Sequence, residues 1–335
     1  MELKRAIYLG YYLKELDRKK WKKFIEHTNE LTGRSAALLR LDALKSVFRY
    51  NISLLEYFQF RFFELDDKQR QAWAGTGYMY EFQKRMNPNG ARTVLEDKPT
   101  FMKEYAEFIH HESATIEQLK EDEDVLQRVL NSRSGKIVLK KSDGGSGKGI
   151  EVISTDGLTK EKLFSELNRT GNDMAEEFVV QHKDLMRLAP SGLNTLRVIT
   201  QIDKEGDAVI IGCRLRLTVH SHVDNMAAGN IAASVDAETG MVTADAVYSD
   251  MTKPPEKYHP VTGVEIRGFQ VPYWEETIQM VKKAAKKNPS NRSIGWDVAI
   301  TDAGPELIEG NHDWCKLLWQ LPEKKGLKHL LEVYN

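Results

Sequence analysis

The sequence predicts an α+β fold of two or three packed subdomains, the first of them all-helical, and three observations predict it. Up to about residue 95 apolar residues recur at helical spacing with no convincing strand. From Lys136 onward short β-rich runs alternate with turn signals. A loop dense in glycine and lysine, residues 140–149, separates the first two of those runs.

A chain of 335 residues exceeds one hydrophobic core, which is why several subdomains are expected. Its 41% hydrophobic and 29% charged residues exclude long disorder. With 48 Lys and Arg against 49 Asp and Glu, no global field would hold it on nucleic acid or an anionic membrane, so any polyanion must be met by a local cluster. The two cysteines, Cys213 and Cys315, make no disulfide framework and suit a reducing cytoplasm. The N-terminus breaks its apolar residues with charges too often for a signal peptide or a membrane span.

Within the helical start, Tyr57, Phe58, Phe60, Phe62 and Phe63 are expected to be core, packing on the next subdomain. The stretch MNPNGARTV (86–94), with Pro88 and Gly90, is expected to be the linker out of the helices. Next, IVLK (137–140), IEVIS (150–154), a helix over 158–169 and the strand-like EEFVVQH (176–182) compose a small α+β lobe. LRVITQI (196–202) and AVIIGCRLRLTV (208–219) read as a hairpin whose second strand puts Arg214 and Arg216 on one face. NIAASVD and MVTADAVY form another pair, PYWEETIQMVKKAAKK a helix, and SIGWDVAITDAGPELIEGN (293–311) two strands around a DAGP turn. The expected boundaries are 1–94, 95–179 and 180–335.

The loop KKSDGGSGKG is too rich in glycine for an ordinary hairpin turn. Gly144, Gly145, Gly147 and Gly149, with Ser146 between them, let several main-chain N–H groups face one anion, and Lys140, Lys141 and Lys148 add charge. It is not a P-loop, since Ser142 stands where a glycine is needed and Gly149 where Ser or Thr is needed. Nor is it a dinucleotide fingerprint, because Ile150 replaces the third glycine and the chain returns to a strand. What remains is a flap between antiparallel strands.

In the last hairpin a turn centred near Ala303 puts Asp297 and Glu309 opposite one another, with Asn311 on the same face as Glu309. Opposed carboxylates repel unless a cation lies between them, and such hard oxygen ligands suit Mg²⁺ held together with phosphate. A register one residue off would instead leave them as solvent-facing residues of an edge hairpin. His312 is read as a packing or capping residue.

These motifs in order, LEDKPTF (95–101), VLKKSDGGSGKGI (138–150), EEFVVQH, LNTLRVIT (193–200), VDN (223–225) and IGWDVAITDAGPELIEGN, resemble those of ATP-grasp enzymes, and the whole chain resembles the sugar-transfer-associated ATP-grasp group. The resemblance implies an ATP-grasp fold, with ATP and Mg²⁺ between two α+β lobes. It implies Lys98 and Lys140 on the phosphates, the glycine loop closing over them, and adenine at Glu176, Glu177, Phe178 and Val179. Asp297, Glu309 and Asn311 match the family's metal ligands. Arg197, Arg214 and Arg216 are then available to the γ-phosphate or an acyl phosphate. Many relatives carry Arg two residues before the metal-binding Asp, where this chain has Gly295, and AGN (228–230) departs from a pair of glycines. The implied activity is an ATP-dependent carboxylate–amine (or thiol) ligase acting on small-molecule substrates, and the family's association with surface polysaccharide pathways implies sugar-linked ones. Its rivals are phosphotransfer to a hydroxyl and a non-catalytic nucleotide-binding partner of a glycosyltransferase system.

Overall fold

The computed structural model describes residues 2–144 and 149–334. Eight helices come first: α1 (Glu2–Lys14), α2 (Arg18–Thr32), α3 (Ala36–Tyr50), α4 (Leu54–Gln59), α5 (Asp67–Gln71), α6 (Thr76–Met86), α7 (Asn89–Glu96) and α8 (Lys98–Glu104). Local sequence sets their ends. Ser35 caps α3, Ser53 and Glu56 form a reciprocal capping box on α4, and Gly33 ends α2 in the left-handed conformation. The expected linker at 86–94 is instead a two-residue break, Asn87 and Pro88, followed by α7, with Pro88 as its N-cap. Asn87 makes the break possible, because its amide donates to the carbonyls of Ser293 and His312, 2.7 Å each.

The four-stranded sheet has the order β1 (Ser113–Thr115), β4 (Met174–Glu177), β2 (Lys136–Lys140), β3 (Glu151–Ser154), every neighbour antiparallel. Helices α9 (Ile116–Glu121), α10 (Glu123–Leu130) and α11 (Lys160–Thr170) belong to this lobe, whose core is Leu119, Leu126, Ile137, Leu139, Leu163 and Leu167. The strand expected over 176–182 stops at Glu177. Residues 178–182 cross to the second sheet, where the His182 N–H donates to the Ile300 carbonyl (2.7 Å).

The six-stranded sheet has the order β10 (Gly304–Asn311), β9 (Ser293–Thr301), β5 (Leu196–Ile202), β6 (Ala208–Leu217), β7 (Ile231–Val235), β8 (Val247–Tyr248). One face, carrying Leu196, Val198, Leu215, Trp296, Val298 and Leu307, packs into the main core with Val281 and Ala285 of the helix Trp274–Lys287. Leu95, Phe101 and Tyr105 join that same core, with Tyr105 edge-on to Trp296. The boundary expected at residue 95 therefore falls inside a helix pair seated on the larger sheet, because its aromatic side chains bury there. The smaller sheet begins at Ser113.

The aromatic run of the helical start is core as expected: Tyr57, Phe58, Phe60, Phe62 and Phe63 are buried, together with Met226, Ala232 and Val247 of the larger lobe. A buried ion pair ties the same parts. Glu56, 1% exposed, accepts from the Ser53 and Thr76 N–H groups (2.7 and 2.9 Å) and the Thr76 hydroxyl, and pairs with Lys316 at 3.2 Å. Burial would raise its carboxyl, but Lys316 and these donors hold it below the ordinary glutamate value. Glu56→Ala strands Lys316 and three donors, so urea denaturation should show a loss of about 3 kcal/mol. Surface Glu26→Ala should cost far less, within about 0.5 kcal/mol.

Candidate functional site

The polar face of the six-stranded sheet carries a row of charge. Arg197 on β5 lies opposite Asp297 on β9, and Asp297 lies opposite Glu309 on β10. The turn alone does not give this register. Thr301 pairs with Gly304, and an unbroken ladder would bring Ile308 opposite Asp297. A bulge between Leu307 and Glu309 inserts the missing residue, so Glu306, Glu309 and Asn311 all share the face of Asp297.

Asp297 is 3% exposed and receives two guanidiniums. Arg197 binds both of its oxygens, with Nη2 to Oδ2 at 2.9 Å, and Arg216 Nη1 donates to Oδ2 at 2.7 Å. Burial alone would raise the Asp297 carboxyl, but Arg197 and Arg216 outweigh it and hold it well below the usual carboxylate range. Glu309 moves the other way, pushed up to about 7 by burial and then by the negative charge of Asp297, with which its carboxyl hydrogen-bonds. Asn311 Nδ2 donates to Glu309 Oε1 (3.2 Å) and to the Gly295 carbonyl (3.3 Å).

Gly295 has a direct role in this arrangement. A Cβ there would come within 2.6 Å of Trp314 Cβ and 3.1 Å of Arg197 Cδ. Glycine thus leaves the space over which Arg197 reaches Asp297. The guanidinium comes from the neighbouring strand and not from position 295 itself.

Arg216 also binds Asp224 through Nη2, and Asp224 accepts from the Thr195 N–H (2.7 Å) and hydroxyl (2.6 Å). Burial raises the Asp224 carboxyl despite Arg216. Arg214 departs from expectation. It shares a face with Arg216 but is turned into the protein, donating to the Trp319 and Cys213 carbonyls and pairing with Glu323 at 3.2 Å. With its side chain 2% exposed, it anchors the C-terminal segment and is not available to a phosphate.

Lys98 feels the charges around it: burial and then the charge of Lys140 lower it, while Glu309 and Glu176 oppose that. Lys98 Nζ donates to the carbonyls of Lys141 (3.2 Å), Ser142 (3.1 Å) and Gly144, gathering the start of the glycine loop. Lys140 pairs with Glu176, which also accepts from Ser113 (3.2 Å). Burial would raise Glu176, but Lys140 and then His111 hold it below the usual value.

Both stems of the loop are tied. Asp173 accepts from the Ser142 N–H and hydroxyl (2.7 and 2.8 Å), and Asn172 donates to the Gly149 carbonyl (3.2 Å). Gly144 and Gly149 are in place at those stems; Gly145, Ser146, Gly147 and Lys148 lie outside the described residues.

At the segment joining the lobes, strand alternation separates Glu176 from Glu177. Glu177 accepts from the Arg133 N–H (3.0 Å), the Ser132 hydroxyl (3.4 Å) and the Glu112 N–H (3.4 Å), on the side away from Lys140. Its carboxylate is therefore committed elsewhere. The Phe178 N–H donates to the Lys136 carbonyl (3.2 Å), with Lys136 over its ring, and Val179 follows, half-buried. His111 was not singled out in the sequence. It bonds Glu306 at 2.8 Å, and Glu306 also accepts from the His110 and His111 N–H groups (2.9 and 3.1 Å), pinning the approach to β1 onto β10. The turn register puts Glu306 opposite Ala299 on the site face, and the bulge beyond it brings Glu309 onto the same face.

Among the described residues no three or more His, Cys, Asp or Glu form a metal cage. The donors are two carboxylates and an amide. That set fits Mg²⁺, which takes hard oxygens and keeps positions for water and phosphate, and the carboxyl–carboxylate contact marks where a cation would relieve repulsion.

The family profile for sugar-transfer associated ATP-grasp matches residues 78–335, so the chain belongs to that family and its fold is ATP-grasp. No curated protein matches the sequence. Among solved structures it is similar to the ATP-grasp ligase PsnB in complex with a phosphomimetic precursor variant, Mg and ADP, at 11% identity over 77% of this chain and 65% of that one, TM-score 0.43. Similar too are biotin carboxylase from Campylobacter jejuni (13% identity, 67% of this chain, 42% of that one, TM-score 0.43) and D-alanine–D-alanine ligase from Helicobacter pylori (12%, 72%, 58%, 0.38). The chain spans less than two thirds of the length of each.

In metal-free protein, Glu309 binds its proton more tightly folded than unfolded. Its contribution is full below about pH 4.5, the ordinary glutamate value, and is lost as pH rises through about 7. Glu309→Gln should flatten the fall in melting temperature between those limits, measured with a chelator present. His111, raised by its bond to Glu306 against the effect of burial, gives a fall of the same sign in both proteins and cancels in the comparison.

Proposed function

We propose that the protein is an ATP- and Mg²⁺-dependent ligase that activates a carboxylate as its acyl phosphate and joins it to an amine. The observation that carries the reading is the row Arg197, Asp297, Glu309, with Arg216 beside it and with Lys98 within electrostatic reach of both Glu309 and Lys140. Asp297, Glu309 and Asn311 would hold Mg²⁺, which supplies charge neutralisation on the phosphates when bound. The remaining tasks fall to the chain's side chains. Lys98 and Lys140 take phosphate oxygens in place of the loop carbonyls and Glu176. Arg197 and Arg216 face the transferring group from β5 and β6, oriented by Asp297 and Asp224. The main chain around Glu176–Val179 receives the adenine. Position 295, glycine here, leaves stabilisation of the acyl phosphate to these two arginines.

In the first step a substrate carboxylate oxygen bonds to the γ-phosphorus as the bond to ADP breaks. In the second, the amine nitrogen bonds to the acyl carbon, phosphate leaves, and the amine loses a proton to solvent. Such chemistry requires fixed charge and exclusion of water more than a protein nucleophile. The family's description supports a sugar-linked carboxylate or amine as substrate. A cytoplasmic setting, where ATP is available, goes with this reading.

The test is ADP release across pairs of carboxylates and amines. Release requiring both partners supports the ligase, whereas release with an alcohol alone identifies a phosphotransferase. Asp297→Asn should lower turnover by about a hundredfold or more; unchanged turnover would remove Asp297 from the reaction, and no ADP release with any pair or alcohol would favour a binding module. Arg216→Lys should lower kcat about a hundredfold. Arg214→Met should instead lower stability by about 2 kcal/mol and leave kcat nearly unchanged.

A further inference from the structure

The first 50 residues hold twelve Lys and Arg against six Asp and Glu, although the whole chain has 48 against 49. Positive charge is thus concentrated in α1, α2 and α3, and α1 and α2 both pack on α3. Arg18, Lys19 and Lys20 fill the first turn of α2 with no acidic residue there, against the preference of a helix N-terminus for negative charge. They are exposed, as are Lys14, Lys22 and Arg40.

The outer faces of α1 and α3 are apolar. On α3 the inner face buries Leu39, Ala43 and Val47, yet Leu38, Leu41 and Leu44 recur every three residues on the outside, Leu38 being 60% exposed. On α1, Ile7 is 65% exposed and Tyr11 59%. A helix apolar on both sides is normally buried on both, so these two are built to be covered. Between Lys4 and Lys14, and between Ala36 and Tyr50, the one acidic side chain is Asp42, and it is bound by Arg70 (3.0 Å) and Tyr57 (2.8 Å).

We infer that α1, α2 and α3 form a docking face for an anionic phospholipid surface, lying on the bilayer with the leucines and Ile7 in the interface and the lysines among the headgroups. Charge selects this occupant. A second copy in a two-fold dimer would bring one basic patch against its own image, which repels, whereas an anionic bilayer meets both the charge and the apolar stripe. No helix among the described residues is long and apolar enough to cross a membrane, so the contact is with the surface. The platform is fixed to the body, since Tyr8 donates to Glu81 (3.0 Å) and Lys23 pairs with Asp250 (2.6 Å). It stands on the exposed sides of helices whose aromatic interior is closed, and it is independent of the nucleotide reading.

Flotation of the full chain with vesicles tests it. The protein should float with phosphatidylcholine vesicles containing about a third phosphatidylglycerol and not with phosphatidylcholine alone, and high salt should release it. Leu38→Glu with Leu41→Glu, and separately Lys19→Glu with Lys20→Glu, should each weaken flotation about tenfold or more at unchanged melting temperature. Absence of flotation with anionic vesicles, or flotation equal in wild type and both charge-reversed and leucine variants, overturns the proposal. So does sedimentation showing a dimer that Leu41→Glu disperses, which would assign the face to a second copy.

Discussion

The pairing of β9 with β10 is the constraint on which the site depends. It forces two carboxylates together inside the protein, an arrangement that ordinarily destabilises a sheet. The opposite face of the same strands makes it obligatory: Trp296, Val298 and Leu307 are sealed in the main core, and any slip of register would turn them toward the cleft. Apolar burial holds the register, and the register holds Asp297 against Glu309. Local repulsion is met by Arg197 and Arg216 on one carboxylate and by a proton on the other.

Around this pair the cations of the site are partnered by the protein. Lys140 has Glu176, Lys98 has the loop carbonyls, and Arg216 spans Asp297 and Asp224. Under the proposed reading a polyphosphate and its ion replace those partners in kind, anion for carboxylate and divalent cation for proton. The scaffold meanwhile stays tied at the loop stems by Asn172 and Asp173 and at the lobe junction by Glu306 and His111. The ATP-grasp fold thus presents charge that is already aligned, which is what transfer of a phosphoryl group requires.

Much of this was legible because strand alternation and turn chemistry are local. The hairpin placed Asp297 opposite Glu309, although the route was indirect: the turn is one residue tighter than a centre at Ala303 implies, and the bulge restores the difference. A bulge leaves little trace in composition, so the sharing of one face by Glu306 and Glu309, an odd number of residues apart, could not be read. Arg214 and Arg216 share a face by period two, as read, but their destinations depend on distant chain. The Trp319 carbonyl and Glu323 draw one inward, and Asp224 and Asp297 hold the other at the site. The strand ending at Glu177 and the helix beginning at Asn89 were missed for a similar reason, since both limits are set by hydrogen bonds to remote residues, Ile300 in one case and Ser293 in the other.

Titration with Mn²⁺, followed by the loss of its free-ion paramagnetic resonance signal in the presence of a non-hydrolysable ATP analogue, tests the centre of this arrangement most directly. Wild-type protein should bind the ion with the analogue, while Asp297→Asn and Glu309→Gln should each abolish that binding in protein that is still folded, Glu309→Gln without lowering the melting temperature of the metal-free protein and Asp297→Asn with a lower one, because Arg197 and Arg216 lose their shared carboxylate. Equal Mn²⁺ binding by all three proteins would contradict a metal site at the β9–β10 pair.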